Sequence, residues 1–262
     1  MVLPGDLTLL NVLILFTAAF GGGMLNSVAG GGSFLSFPAL VFTGVDAKIA
    51  NATSTVALWP GSAAAARAYR AELMTQRARL VPLSLVSVLG GFLGARLLLG
   101  TSENTFRALV PYLLLLATGL FAFGGALTAR VRRWRGTEAP TPDSRVSAVG
   151  LLLQLVIATY GGYFGGGIGI LMLAALAVSG MEDVHTMNGL KNWLATCING
   201  VAVLTFILSG AVLWPQALVM VAGATAGGYA GASTARRLDP KLVRRFVIAV
   251  GCALTVYFFV RG

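Results

Sequence analysis

Two glycine runs interrupt otherwise apolar sequence, Ala29 to Phe34 (AGGGSF) and Phe164 to Gly169 (FGGGIG), and each precedes a cluster of polar residues at the opening of a later apolar stretch. In the first half the cluster is Asn51, Thr53, Ser54 and Thr55. In the second it is Asn188, Lys191 and Asn192. These side chains are hydrogen-bond donors, one of them is cationic, and none is an acid. A glycine run ahead of a helix lets a ligand approach the first backbone amides, which have no partner inside the helix and carry the positive end of its dipole. The chemistry of such a set is coordination of an anion stripped of water. Gly30, Gly31, Gly32 and Ser33 would form one helix start and Gly165, Gly166, Gly167 and Gly169 the other, both turned toward a shared centre.

Lys191 is the sharpest single candidate, because an ammonium in an apolar helix costs about 2.5 to 3.5 kcal/mol at the bilayer centre and marks a functional site by default. Each of these readings has a plainer rival. Lys191 near a helix end can snorkel to the head groups, the hydroxyls can bond back to their own helix, and glycines can simply let helices pack closely. Packing motifs are spaced by four, whereas these runs are consecutive. By that test Gly90 with Gly94 and Gly227 with Gly231 are packing contacts.

Residues for other chemistries are missing from the sequence. It holds no HExxH, no GxSxG and no paired aspartates, and Cys197 and Cys252 lie in apolar stretches without metal-ligand spacing. The reading is therefore not an enzyme, with no cofactor, no metal, and two free, buried thiols. The carboxylates, from Asp6 to Asp239, all fall in loops or at span ends, so no buried acid relay is expected. His185 beside Glu182 and Asp183 reads as a solvated turn residue. Trp59-Pro60 offers a hinge within a span, and Trp214-Pro215 a span start.

The elements that must position these residues are membrane helices. Of 262 residues 56% are hydrophobic and 11% charged, against roughly 25% charged in soluble domains, and the mean hydropathy is +0.82. A helix of about 20 apolar residues crosses the hydrocarbon layer. Apolar segments lie near 7–28, 33–44, 50–66, 80–99 and 107–128, then near 146–163, 168–180, 188–208, 214–235 and 246–260. This is an all-α polytopic membrane protein with about 8 to 10 transmembrane helices, the first segments of each half being glycine-broken or re-entrant. The apolar first segment lacks a basic region before it and reads as retained.

The halves are related by an offset of 137, which pairs Asn51 with Asn188, Gly90 with Gly227, Gly94 with Gly231 and Arg107 with Arg244. The first repeat spans 1–128, a basic linker 129–145, and the second repeat 146–262. Of the 19 Lys and Arg, 14 fall in three loops, at 67–79, 130–145 and 236–245. That is positive-inside patterning, not a nucleic-acid surface. The basic loop at 67–79 has an uncharged counterpart at 209–213, and the basic loop at 236–245 has a nearly neutral one at 101–107. Equivalent loops thus face opposite sides, so the two repeats of about five segments each are inverted and both termini face outward.

At the residues Gly30 to Phe34 leading to Pro38, Gly44 to Asp46, Asn51 to Thr55, Gly165 to Gly169, Asn188 to Lys191, and Gly227, Gly228 and Gly231 before Arg236 to Arg245, the chain resembles the sulfite exporter TauE/SafE family of bacterial membrane permeases. Ala50, Asn51 and Ala52 depart from the glycine that more often precedes Thr53. The resemblance implies a secondary transporter of the bacterial inner membrane, multi-pass, moving a sulfur oxyanion, organosulfonate or organic acid by alternating access. The implied partners are a small anion and the bilayer, and a homodimer stays open as the assembly. An anion channel or facilitator is the nearer rival and an intramembrane enzyme the more distant one. If the repeats are inverted, a cysteine at Gly210 is labelled by an impermeant thiol reagent from outside and one at Arg77 from the cytoplasm; labelling of both from one side would refute the repeat argument.

Overall fold

The computed structural model describes residues 6–28, 31–68, 73–74, 76–135, 146–179, 181, 183–234 and 240–261. Ten helices organise these residues: α1 (Leu9–Val28), α2 (Ser33–Phe42), α3 (Ala47–Ala68), α4 (Arg77–Gly100), α5 (Glu103–Arg135), α6 (Ala148–Tyr163), α7 (Ile168–Val178), α8 (Val184–Leu208), α9 (Trp214–Thr234) and α10 (Pro240–Arg261). Four stretches, Leu9–Asn26, Arg77–Gly100, Glu103–Ala126 and His185–Leu208, are long and apolar enough to cross a membrane by length and composition. Large apolar side chains such as Leu85, Tyr112, Phe123, Leu152 and Val156 stand exposed on the outer faces, as a protein dissolved in hydrocarbon requires. Cys252 is also exposed and Cys197 half-buried, both free; the expectation of two buried thiols holds for neither, because apolar sequence in this protein faces lipid as often as it faces the core.

Several helices begin three to six residues before their apolar windows. Hydropathy cannot register a polar first turn, but hydrogen bonding can. At α8 the Asp183 carboxylate accepts from the Thr186 amide at 2.8 Å and from the Thr186 hydroxyl, a side-chain cap that satisfies an orphan amide. The hydroxyl first, and then the amide, hold the Asp183 carboxyl below its ordinary range. The cap therefore stabilises the helix start above that range and is lost as pH falls through the lowered value. At α3 the carboxylate comes from elsewhere. Glu103, opening α5, accepts from the amides of Ala47 at 2.6 Å and Lys48 at 3.1 Å, while the Lys48 ammonium donates to the Thr101 carbonyl at 3.0 Å. Starting α8 at Val184 sets Lys191 two turns inside the helix.

The ends are equally local. Gly44 (φ 89°) ends α2 and Gly210 (φ 69°) ends α8. The next amides, Val45 and Ala211, bond back to the Leu40 and Phe206 carbonyls at 3.1 and 3.0 Å, the glycine-dependent stop that recovers orphan carbonyls.

Packing is arranged in pairs. α1 lies along α9, with Gly223 against the Phe16 carbonyl and Gly227 against that of Phe20, so the two run parallel. α4 lies along α6 in the same manner, Gly90 against Leu155 and Ala158 and Gly94 against Thr159 and Tyr163. α3 crosses α8 antiparallel, since Ser62 meets Thr196 and Thr53 meets Leu213. α5 runs antiparallel to α10, where Arg244 donates to the Phe121 carbonyl at 2.9 Å and Tyr112 packs edge-on against Phe259.

The parallel pairs are in backbone contact. A Cβ on Gly227 would sit 1.9 Å from the Phe20 carbonyl oxygen, and one on Gly94 2.1 Å from that of Thr159. No side chain can give way there, because the obstacle is main chain. Gly94→Val and Gly227→Val should each lower thermal stability in detergent by at least the roughly 1 to 3 kcal/mol typical of overpacking. Gly61→Ala, at an exposed helical site with nothing within 4 Å of the new Cβ, should leave it unchanged or slightly raised, and equal losses at all three would refute this reading of the contacts.

Candidate functional site

Each glycine run, where it is described, leads directly into a helix start. Gly30 lies outside the described residues. Gly31 has φ 91°, while Gly165 and Gly167 have φ 82° and 77°, values open to glycine at little cost. Gly32 precedes α2 and its amide donates to the Asn26 side chain at 2.8 Å; Ser33 is the first residue of the helix. On the other side Gly167 precedes α7, and the Tyr160 hydroxyl donates to the Gly166 carbonyl at 2.7 Å, closing the turn. Asn26 and Tyr160 were not singled out from the sequence. The signal they carry is a polar atom in the last turns of an apolar helix that leads into a glycine run.

The two turns approach one helix, α5. Gly31 faces the Phe121 ring, and Gly166 and Gly167 face Ala117 and Leu120 within one turn of it. What surrounds this meeting point is aromatic. Phe34 packs edge-on against Phe121 at 5.5 Å and Phe37 edge-on against Phe164 at 5.8 Å, and all four rings are buried. The structure thus brings the turns to a common helix but seats phenylalanines beside them.

The polar residues of α3 are engaged with protein. Asn51 donates to the Tyr163 carbonyl at 3.0 Å, joining α3 to the end of α6. The Thr53 hydroxyl accepts from the Leu213 amide at 3.1 Å, the Ser54 and Ser36 hydroxyls lie 2.6 Å apart, and Thr55 bonds back to the Asn51 carbonyl at 2.8 Å. Asn51, Thr53 and Ser54 are buried.

The equivalent part of α8 is open. Lys191, Asn188 and Asn192 are half-buried, and the Lys191 ammonium donates to the Asn188 side chain at 3.1 Å. Its methylene chain runs beside the first turn of α7, where a Cβ on Gly169 would stand 3.3 Å from Lys191 Cδ. Gly167, Gly169, Asn188 and Lys191 therefore come together as a helix start, an amide and an ammonium. An anion at this place would meet positive potential from both the dipole and the lysine. Among the described residues no group of three His, Cys, Asp or Glu could hold a metal.

The α3 hydroxyls are separable from this set by experiment. Thr53→Val removes the acceptor for the Leu213 amide and should lower thermal stability by about 1 to 3 kcal/mol, the cost of an unmet buried donor, with any flux per folded molecule retained; a stable variant with no flux would reassign Thr53 to ligand binding.

Comparison with known proteins gives a consistent result. The model of the family described as sulfite exporter TauE/SafE matches residues 15–258. A probable membrane transporter protein, ORF9, of a Sinorhizobium species is 28% identical over 258 residues, covering 96% of this chain and 93% of its own. A probable membrane transporter protein of Haemophilus influenzae is 27% identical, covering 92% of each, and the probable membrane transporter YfcA of Escherichia coli K12 is 26% identical, covering 92% of this chain and 87% of its own. No solved structure matches the chain.

Proposed function

We propose, because this chain belongs to the sulfite exporter TauE/SafE family, that it moves a small sulfur oxyanion, organosulfonate or organic acid by alternating access, with the anion held between the start of α7 and Lys191. The coarser statement follows from membership: it is a multi-pass membrane transporter of the bacterial inner membrane and not an enzyme. The observation that carries the finer reading is Lys191 beside Gly169, two turns inside an apolar helix. An ammonium at that depth has a cost that a negative guest offsets.

The helix pairs support two inverted repeats, α1 to α5 and α6 to α10, joined through the basic stretch 129–145, whose first residues, 129–135, end α5 and whose residues 136–145 lie outside the described residues. Exchanging each helix for its counterpart turns the α1–α9 pair into α6–α4, and leaves α3–α8 and α5–α10 as themselves. Counterparts that cross antiparallel about their own midpoints are what a two-fold axis in the membrane plane produces. Direction also alternates along the chain, so the ends of α3, α5 and α9, which lead into the basic stretches, fall at one end of the molecule, the arrangement that positive-inside patterning calls for. The buried phenylalanines beside the two turns favour a carrier that opens in alternation over a channel with a continuous polar lining.

The test is flux of sulfite, methanesulfonate and acetate in proteoliposomes. Lys191→Ala should lower the flux of whichever anion is carried at least tenfold while folded yield stays near that of the parent, with Lys191→Arg retaining part of it. Unchanged flux in Lys191→Ala would show that the lysine only snorkels. Flux that saturates and is subject to competition among the anions separates a carrier from a channel.

A further inference from the structure

The offset of 137 pairs Thr55 with Asn192, Trp59 with Thr196 and Ser62 with Asn199. These are the residues at which α3 and α8 cross. The Trp59 indole donates to the Thr196 carbonyl at 3.2 Å, and the Thr196 hydroxyl donates to the Ser62 carbonyl at 3.2 Å. A Cβ on Gly200 would meet the Trp59 ring at 3.2 Å. The middle pair thus sits at the crossing point, with one polar position on each side of it along each helix.

Asn192 and Asn199 lie two turns apart on the α8 face that carries Thr196, so this face is turned to α3 and not to lipid. Both are half-buried, and among the described residues their side-chain amides have no hydrogen-bond partner. An unmet amide in a dry membrane interior costs several kcal/mol. Water or a ligand must therefore reach both positions.

Burial shows from which end. On α3 the residues before the crossing are closed: Asn51 is 3% exposed and Ser54 2%. From Trp59 to Ala64 every residue is half-buried or exposed. On α8 the order is reversed, with Asn188 and Lys191 half-buried ahead of the crossing and Ala202 and Phe206 fully buried beyond it. Because the helices are antiparallel, both open stretches lie at the same end, that of Arg67 and Arg77. Asn51 and Ser54 are thus buried where their counterparts Asn188 and Lys191 are half-buried, while Thr55 and Asn192, Trp59 and Thr196, and Ser62 and Asn199 are half-buried alike.

We propose that the α3–α8 seam is a crevice open at the basic-loop end, in which Ser62 and Asn192 line the way from the water phase to Lys191 and Asn199 marks the deep end, past the crossing. In the opposite state the seam opens at Asn51 and Ser54 and closes over Asn188 and Lys191, each helix taking the environment now held by its counterpart. This rests on the transport reading above for the identity of the guest, but not for the existence of the crevice.

The experiment uses the full chain with Cys197→Ser and Cys252→Ser, reconstituted in vesicles of known orientation, and carries single cysteines at Asn199→Cys, Ser62→Cys and Ser54→Cys. The impermeant thiol reagent is sulfonatoethyl methanethiosulfonate. In the absence of cargo, Asn199→Cys and Ser62→Cys should react from the basic-loop side at least tenfold faster than Ser54→Cys, and their modification should lower flux of the carried anion at least tenfold. Where Asn199→Cys does not fold, Ala195→Cys, half-buried one turn away, takes its place. Equal reactivity of all three positions, reaction from the opposite side only, or full modification with unchanged flux would overturn the proposal. If the cysteine-free parent moves none of sulfite, methanesulfonate and acetate, the transport reading falls, and the labelling comparison alone still decides the crevice.

Discussion

Direct contact between main chains is the constraint on which the rest of this protein depends. Lipid tails are as apolar as leucine, so membrane helices gain little by burying leucine against each other, and close approach has to supply the attraction. Gly23, Gly94, Gly162 and Gly227 let α1 meet α9 and α4 meet α6 at distances that a methyl group would forbid. Each pair joins a helix from one half of the chain to a helix from the other. The halves are therefore interleaved, and no surface separates one from the next.

That interleaving encloses two short apolar helices. α2 and α7 have only 10 and 11 residues, and their leading turns carry amides that a bilayer could not satisfy. Enclosure by the long helices gives those amides partners or a protected surface. Asn26 meets the Gly32 amide, and Tyr160 ties down Gly166. The phenylalanines around α5 complete the enclosure of both turns. On the α7 side the enclosure is left polar by Lys191 and Asn188.

Much of this was legible in the residues. The packing role of Gly90, Gly94 and Gly227 and the helical class follow from side-chain size and hydropathy, which act locally. Helix starts were less legible, because the caps that set them, Asp183 on its own helix and Glu103 from 55 residues away on another, are hydrogen bonds and not hydropathy. Lys191 stands out in the sequence as the sharpest candidate, with the α3 hydroxyls at positions related to its surroundings by the offset of 137. Tertiary packing separates them, burying Ser54 against Ser36 while leaving Lys191 open. Arg79 is the clearest miss: a residue of a basic loop by composition, it is 6% exposed in the first turn of α4, and charge counting has no means of telling a buried guanidinium from a solvated one.

Glu103 has a bearing on polarity of a different sort. By accepting the Ala47 and Lys48 amides it places a carboxylate from another helix on the start of α3, while Asp183 places one from the residue just ahead of it on the start of α8. A negative guest at the start of either helix would find its cradle already held by a tethered group of the same sign. Because its carboxylate belongs to a different helix, Glu103 also fastens the start of α5 to that of α3, whereas Asp183 serves only the helix it precedes.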